Sequence, residues 1–328
     1  MKLTKDFSFK GSAPAVADGI PAALAAANPL GPLQLLGGDW KGRGFNQIWR
    51  PTNGPGSPPQ DRFLQLNLTQ ETLQFEEIPG DIPNRGLFTQ KDIDLHGLTY
   101  LQQIEDVNVK GPSGKPAGIH IEPGIWIFIP ATTAPNNVAT VARLATIPHG
   151  TSILAQGSAR TIAGPPVFKK ADITPFTFQV PPSTLPPPPG TLVAFPESNL
   201  ATPTPFRSKP AEIVGITQTM VNNPNSLLAA GIAGKTIIET TKLETSTILR
   251  VPPVPKSGGG SANISFLQGT GGNPNAVAAQ VDATFWIETI RNADGTKSLQ
   301  LQYSQRVLLN FAGLSWPHIS VATLKKQP

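Results

Sequence analysis

Histidine is scarce in this 328-residue chain, which has only four, and two of them sit where strand alternation gives the side chain a direction. His318 opens the run His318-Ile319-Ser320-Val321-Ala322-Thr323-Leu324. Successive side chains of a strand point to opposite faces, so His318, Ser320, Ala322 and Leu324 share one face and Ile319, Val321 and Thr323 the other. With the first face turned inward, the imidazole looks into an interior beside small side chains. That setting suits ligation of a haem iron, with Ser320 and Ala322 leaving room for a porphyrin plane. A hydrogen-bonded structural histidine satisfies the same pattern, and spacing alone leaves both open. His120 and Glu122 are two residues apart and share a strand face, so they can act as acid and base, orient a ligand, or simply hydrogen-bond. No third metal ligand stands near them in the sequence, which argues against a mononuclear zinc site. His96, before Gly97, and His149, in Pro148-His149-Gly150, read as structural residues near turns.

Other chemistries are absent or weak. With no cysteine, disulfides, thiol catalysis and thiolate metal sites are excluded. There is no G-x-S-x-G elbow for a serine nucleophile. The glycine clusters at 258–260 and 269–272 lack a P-loop lysine and a strand–loop–helix setting. Net charge is +5, but the basic residues are scattered and only Lys169–Lys170 and Lys325–Lys326 are adjacent. A nucleic-acid partner is therefore not expected. No run of about 18 apolar residues occurs and no apolar signal region follows the charged N-terminus, so the expectation is a cytoplasmic protein without membrane insertion.

These residues need strands to position them. Phe63–Leu68, Leu73–Glu76, Leu98–Ile104, Ile119–Glu122, Ile125–Ile129, Val138–Leu144 and Thr151–Gln156 alternate or are rich in β-branched and aromatic residues. Further strands are expected at Glu212–Met220, Thr236–Leu249, Ala262–Leu267 and His318–Leu324. Val281–Arg291 and Ser298–Asn310 form a hairpin across Asn292-Ala293-Asp294-Gly295. Residues 160–212 are Pro-rich, which interior strands do not tolerate, and read as a surface insertion in which Phe168, Phe176, Phe178 and Phe195 pack on the strands. Asn225–Ala233 predicts a helix, capped by Asn225, ended by Gly234 and suited to covering a barrel mouth. Residues 1–36 read as an N-terminal arm with a short helix over Ala22–Ala27, and 37–326 as one domain. High Pro and Gly content and few helices fit this reading: 36 Pro, 31 Gly. About ten strands with hairpin connections predict an all-β, closed antiparallel barrel holding one small ligand. Trp40, among the glycines of Gly38–Gly44, plugs its closed end.

The order of motifs resembles that of the nitrobindin-type, fatty-acid-binding-protein-like haem barrels of the calycin group, in their longer peroxidase-like branch. Gly38-Asp39-Trp40-Lys41-Gly42-Arg43-Gly44 matches the family's opening strand and His120-Ile121-Glu122-Pro123-Gly124 its middle one. Ala145-Thr146-Ile147-Pro148-His149-Gly150 matches its turn with one extra residue. His318–Leu324 matches the closing strand, with Ala322 and Leu324 one place further along. The matches span residues 36–158 and 262–326, whereas Phe45–Pro51 departs from the family pattern. The resemblance implies a calycin-like barrel with haem b on His318, lined by Trp40, Trp126, Ser320 and Ala322. It places His120, with Glu122, on the distal or propionate side, and Arg50 and Arg143 within reach of propionates. The implied chemistry is peroxidase-like or directed at nitric oxide or peroxynitrite. A metal-free carrier of an apolar molecule or fatty acid, and a cofactor-free isomerase or cyclase using His120 and Glu122, are the alternatives.

Overall fold

The computed structural model describes residues 7, 9, 29–52, 62–171, 173–177, 190–250, 257–269 and 275–328. The expected helix at 22–27, the proline runs at 181–189 and Phe178 lie outside them. Ten long strands follow one another in chain order: β1 Gly38–Arg50, β2 Phe63–Glu77, β3 Ile93–Lys110, β4 Pro116–Ile129, β5 Thr140–Ile147, β6 Thr151–Ala163, β7 Thr236–Ser246, β8 Val277–Arg291, β9 Lys297–Phe311 and β10 Leu314–Lys326. Each pairs antiparallel with the next, and β10 returns to β1 from Trp40 opposite Lys326 to Ile48 opposite His318. The sheet is thus a closed ten-stranded antiparallel barrel of calycin-like architecture, as alternation predicts. Closure leaves none of the ten strands with a bare edge along this circuit.

The glycines of β1 let it meet β10 closely midway along their pairing. A Cβ on Gly42 would stand 2.0 Å from the Thr323 carbonyl oxygen, and one on Gly44 2.3 Å from that of Val321. The seventh staves of the wall are two: β7 stops opposite Gln156, and Gly258–Asn263 takes over the same edge of β6 from Gln156 to Thr151.

Alternation divides the apolar residues between two cores. Inside, Trp40, Leu73, Phe75, Leu98, Tyr100, Trp126, Phe285, Leu301 and Leu324 fill one end of the barrel. A 3-10 turn at Gly31–Leu33 adds Leu30, Leu33 and Leu36 across that end, and Trp40 Nε1 donates to the Leu36 carbonyl at 2.6 Å. Trp40 is the plug its glycine setting predicts. Outside, Phe45, Trp49, Leu64, Leu66, Trp286, Trp316, Ile319 and Val321 are also buried. The segment between β6 and β7 covers them, contributing Ile173, Ile216, Met220, Val221 and Leu228. Phe168 meets Trp286 edge-on at 5.0 Å and Phe195 stacks on Trp316 at 5.1 Å. Each large side chain so buried contributes about 1.5–3 kcal/mol.

Two expectations are corrected within this cover. Glu212–Met220 is not a strand: Gly215 takes φ +84°, and the Thr217 hydroxyl accepts from the Met220 N–H to cap helix α1, Gln218–Asn222. The helix expected at 225–233 is present as α2, Ser226–Ile232, but it lies on the outer wall against β10 and not over the mouth. Its cap also differs, since the Asn225 amide donates to the Lys169 carbonyl. A third helix, α3, Ser265–Gln268, lies at the open end, where a strand to Leu267 was expected; the strand there stops at Asn263.

Candidate functional site

Beyond the inner core the barrel opens into a cavity of about 460 Å³. Its apolar wall includes Ile48, Ile104, Ile119, Ile147, Val307 and Leu309, and Leu267 of α3 closes on it from the mouth. His120, His149 and His318 all line it, so three of the chain's four histidines meet in one space. His149 was not expected there: it sits on the exposed β5–β6 turn, where the sequence shows only turn residues. His96 is elsewhere, 3.7 Å from Asp81.

Strand β10 points as alternation predicts. His318 and Ser320 face the cavity, Ala322 and Leu324 belong to the inner core, and Ile319 and Val321 face the outer core. The His318 Nε2 is 3.1 Å from Asn46 Nδ2, which also donates to Ser320 Oγ at 2.7 Å. Burial in the wall, with His120 and His149 nearby, lowers the His318 pKa to about 3. The imidazole is open only toward the cavity and stays neutral.

Between the filled end and the cavity runs a belt of buried polar side chains. Glu122 is at its centre. One carboxylate oxygen, Oε1, accepts from the Tyr100 hydroxyl and the Arg143 guanidinium, and Arg143 Nε also donates to Tyr100 at 2.9 Å. The other, Oε2, has the His120 Nε2 3.4 Å away and no well-aligned hydrogen bond. Burial pushes the Glu122 pKa up, but Arg143, His120 and Tyr100 more than reverse this and hold it at about 2. Glu122 and Tyr100 in turn keep Arg143 protonated despite its burial. Arg143 also donates to the Gln305 carbonyl oxygen, and Gln305 lines the cavity. Beside this group, Glu71 accepts from Tyr303 at 2.6 Å and Thr69 at 2.7 Å; burial raises its pKa in spite of these bonds. Tyr303 and Gln102, linked to each other at 3.0 Å, carry the Glu71 group to the cavity wall.

The structure therefore brings His120, His318, Ser320 and Arg50 to one cavity, with Glu122 behind His120. Trp40, Trp126 and Ala322 lie in the inner core and are not in the cavity lining. Arg50 stands at the mouth, donating to Gln65 at 2.9 Å, with its guanidinium over the Phe63 ring. Arg143 is sealed within the belt. Sequence reasoning did not single out Gln305, Tyr100, Tyr303 or Glu71, whose strands lie far apart in the chain.

The donor set suits one axial bond to a haem iron: a neutral imidazole facing a cavity, with small Ser320 alongside. Its Nε2 is occupied by Asn46, which would have to turn away. Among the described residues no three His, Cys, Asp or Glu side chains stand close enough to hold a bare metal ion. No helix among them is long and apolar enough to cross a membrane.

Compared with known proteins, the chain matches no family model, no curated protein and no solved structure. Fold and site together define its class as a closed antiparallel β-barrel with a ligand-sized internal cavity.

Proposed function

We propose that this barrel binds a small organic molecule whose apolar body lies against Ile48, Ile104, Ile147, Val307 and Leu309 and whose polar end meets the inner belt. One observation carries this reading: a cavity of about 460 Å³, apolar on its walls and polar at its floor, set in a closed barrel. Pockets of about 300–1,000 Å³ with few, fixed polar groups are typical of small-molecule sites. Among the described residues Arg50 is the only lining side chain that is permanently charged, so a neutral or singly anionic ligand suits the space. Extraction of the purified protein and mass spectrometry should find a bound organic molecule, or titration with 1-anilinonaphthalene-8-sulfonate should saturate at one site. Val307→Trp, which fills the cavity, should abolish binding while leaving the unfolding temperature near that of the parent. Undiminished binding in that variant would overturn the reading.

A second reading is haem b, favoured by the neutral His318 imidazole at the cavity wall. His318 would hold the iron, Ser320 would border the porphyrin, and His120 and Arg50 would face the ligand from elsewhere in the cavity. Bound haem supplies redox and diatomic-ligand chemistry, which is the basis for a peroxidase-like activity or one toward reactive nitrogen species. Adding ferric haem to the apoprotein should give a one-to-one Soret shift that His318→Ala loses. No shift in the parent protein leaves the metal-free carrier.

A further inference from the structure

We propose that the belt at the cavity floor is a proton-transfer site for an apolar ketone, with His120 as the base and Gln305 as the hydrogen-bond donor to the carbonyl oxygen. The proposal rests on the small-molecule reading above and names a substrate class for the same cavity.

The geometry fixes both groups through one buried cation. Arg143 holds the Glu122 carboxylate, and that carboxylate faces the His120 Nε2 at 3.4 Å. A permanently ionised carboxylate beside Nε2 favours the tautomer with its proton there, which leaves Nδ1 as the unprotonated nitrogen of a cavity-lining ring. Nδ1 makes no hydrogen bond among the described residues, so it is free to accept a proton. Arg143 also donates to the Gln305 Oε1. That bond orients the amide, because a guanidinium has only donors to offer, and it leaves the Gln305 Nε2 as a donor at the cavity wall. The arrangement is a base with an orienting carboxylate and a separate, pre-set donor, which is what enolisation requires.

In the step, His120 Nδ1 takes the proton α to the carbonyl. The C–H electron pair becomes a C=C bond, and the C=O π pair moves onto oxygen, held by the Gln305 N–H. The imidazolium that forms is stabilised by Glu122. Once the proton on Nδ1 has been replaced from solvent, reprotonation of the same carbon exchanges the α-hydrogen; reprotonation of a conjugated carbon moves the double bond. Nothing is oxidised or reduced. Glu122 and Arg143 are positioning residues, acting through His120 and Gln305.

The test uses 2-tetralone, a two-ring apolar ketone with acidic α-hydrogens, in heavy water. Binding is followed by saturation-transfer NMR and deuterium uptake by loss of the α-proton signals. The protein should exceed an equal concentration of free imidazole by about 100-fold or more. His120→Ala should keep binding and lose exchange, and Gln305→Leu should lower exchange by about 100-fold. Glu122→Gln should keep ketone binding and slow exchange, since the ring loses the carboxylate that sets its tautomer. A ketone that binds without faster exchange, or exchange that survives His120→Ala, overturns the proposal alone. If neither the ketone nor 1-anilinonaphthalene-8-sulfonate binds, the small-molecule reading falls with it.

Discussion

Three buried carboxylates show how strongly a neighbour decides what burial does to a charge. Glu122 has a cation and stays ionised; Glu71 has only hydroxyl and amide donors, and its pKa rises. Glu288, under α2 on the outer wall, accepts from the Gln300 amide at 2.6 Å and has no partner for Oε1. Lys235 bonds to Gln300 and not to the carboxylate, and burial pushes the Glu288 pKa to about 7. Unfolded, a glutamate titrates near pH 4.3, so between that value and about 7 the native state holds the extra proton. Stability should fall as pH rises through this window and the loss should be complete above it. Glu288→Gln should therefore stabilise the protein by about 3–4 kcal/mol at pH 8 and by nearly nothing at pH 4. Urea unfolding at both pH values checks this, and an equal gain at both would rule out charge burial as the cause. At this scale the sequence was half legible. Alternation paired His318 with Ser320 and His120 with Glu122 on shared faces, and the strands keep both pairings. It gave no level along the barrel axis, so it could not show that Arg143, Tyr100 and Gln305 meet at Glu122, or that a turn brings His149 to the mouth.

At the scale of elements, α2 is held by close approach more than by capping. The Gln302 amide donates to the Leu228 carbonyl at 2.9 Å and to Thr323 Oγ1 at 2.6 Å, directly beneath Gly231. A Cβ at Gly231 would stand 2.6 Å from both Gln302 Nε2 and Thr323 Oγ1. Gly231→Val should lift the helix from β9 and β10 and destabilise the protein by about 1–3 kcal/mol. Thr323→Ala in the same background should recover part of that loss. Additive effects, measured by denaturant unfolding of the single and double variants, would show that the contact is not what limits packing. The helix itself was legible from Ser226–Ile232 between Asn225 and Gly234. Its place was not, since a short helix with Leu228 as its fully buried side chain can lie on any apolar surface, and here it joins the outer core. The strand expected at Glu212–Met220 failed for a local reason: Gly215 and the Thr217 cap turn an alternating stretch into a helix start.

Across the whole molecule, a closed barrel with its outer wall also buried makes the cover between β6 and β7 part of the fold. Closure was readable from about ten expected strands, few helices and hairpin-type connections. The second core was not, because Phe45, Trp49, Ile319 and Val321 look like the outward residues of an ordinary two-faced strand until the cover is placed on them. The five tryptophans divide between the cores: Trp40 and Trp126 inside, Trp49, Trp286 and Trp316 beneath the cover. Fluorescence can therefore follow each core separately. In a variant with Trp49, Trp286 and Trp316 replaced by Phe, the emission reports the inner core; with Trp40 and Trp126 replaced, it reports the outer. Each signal should coincide with the loss of β-sheet circular dichroism in the same variant, because the outer strand faces cannot stay in water without the cover and the cover has no core without them. An outer-core transition that precedes the loss of sheet would instead make the cover a unit that opens on its own, with the barrel and its cavity standing intact beneath it.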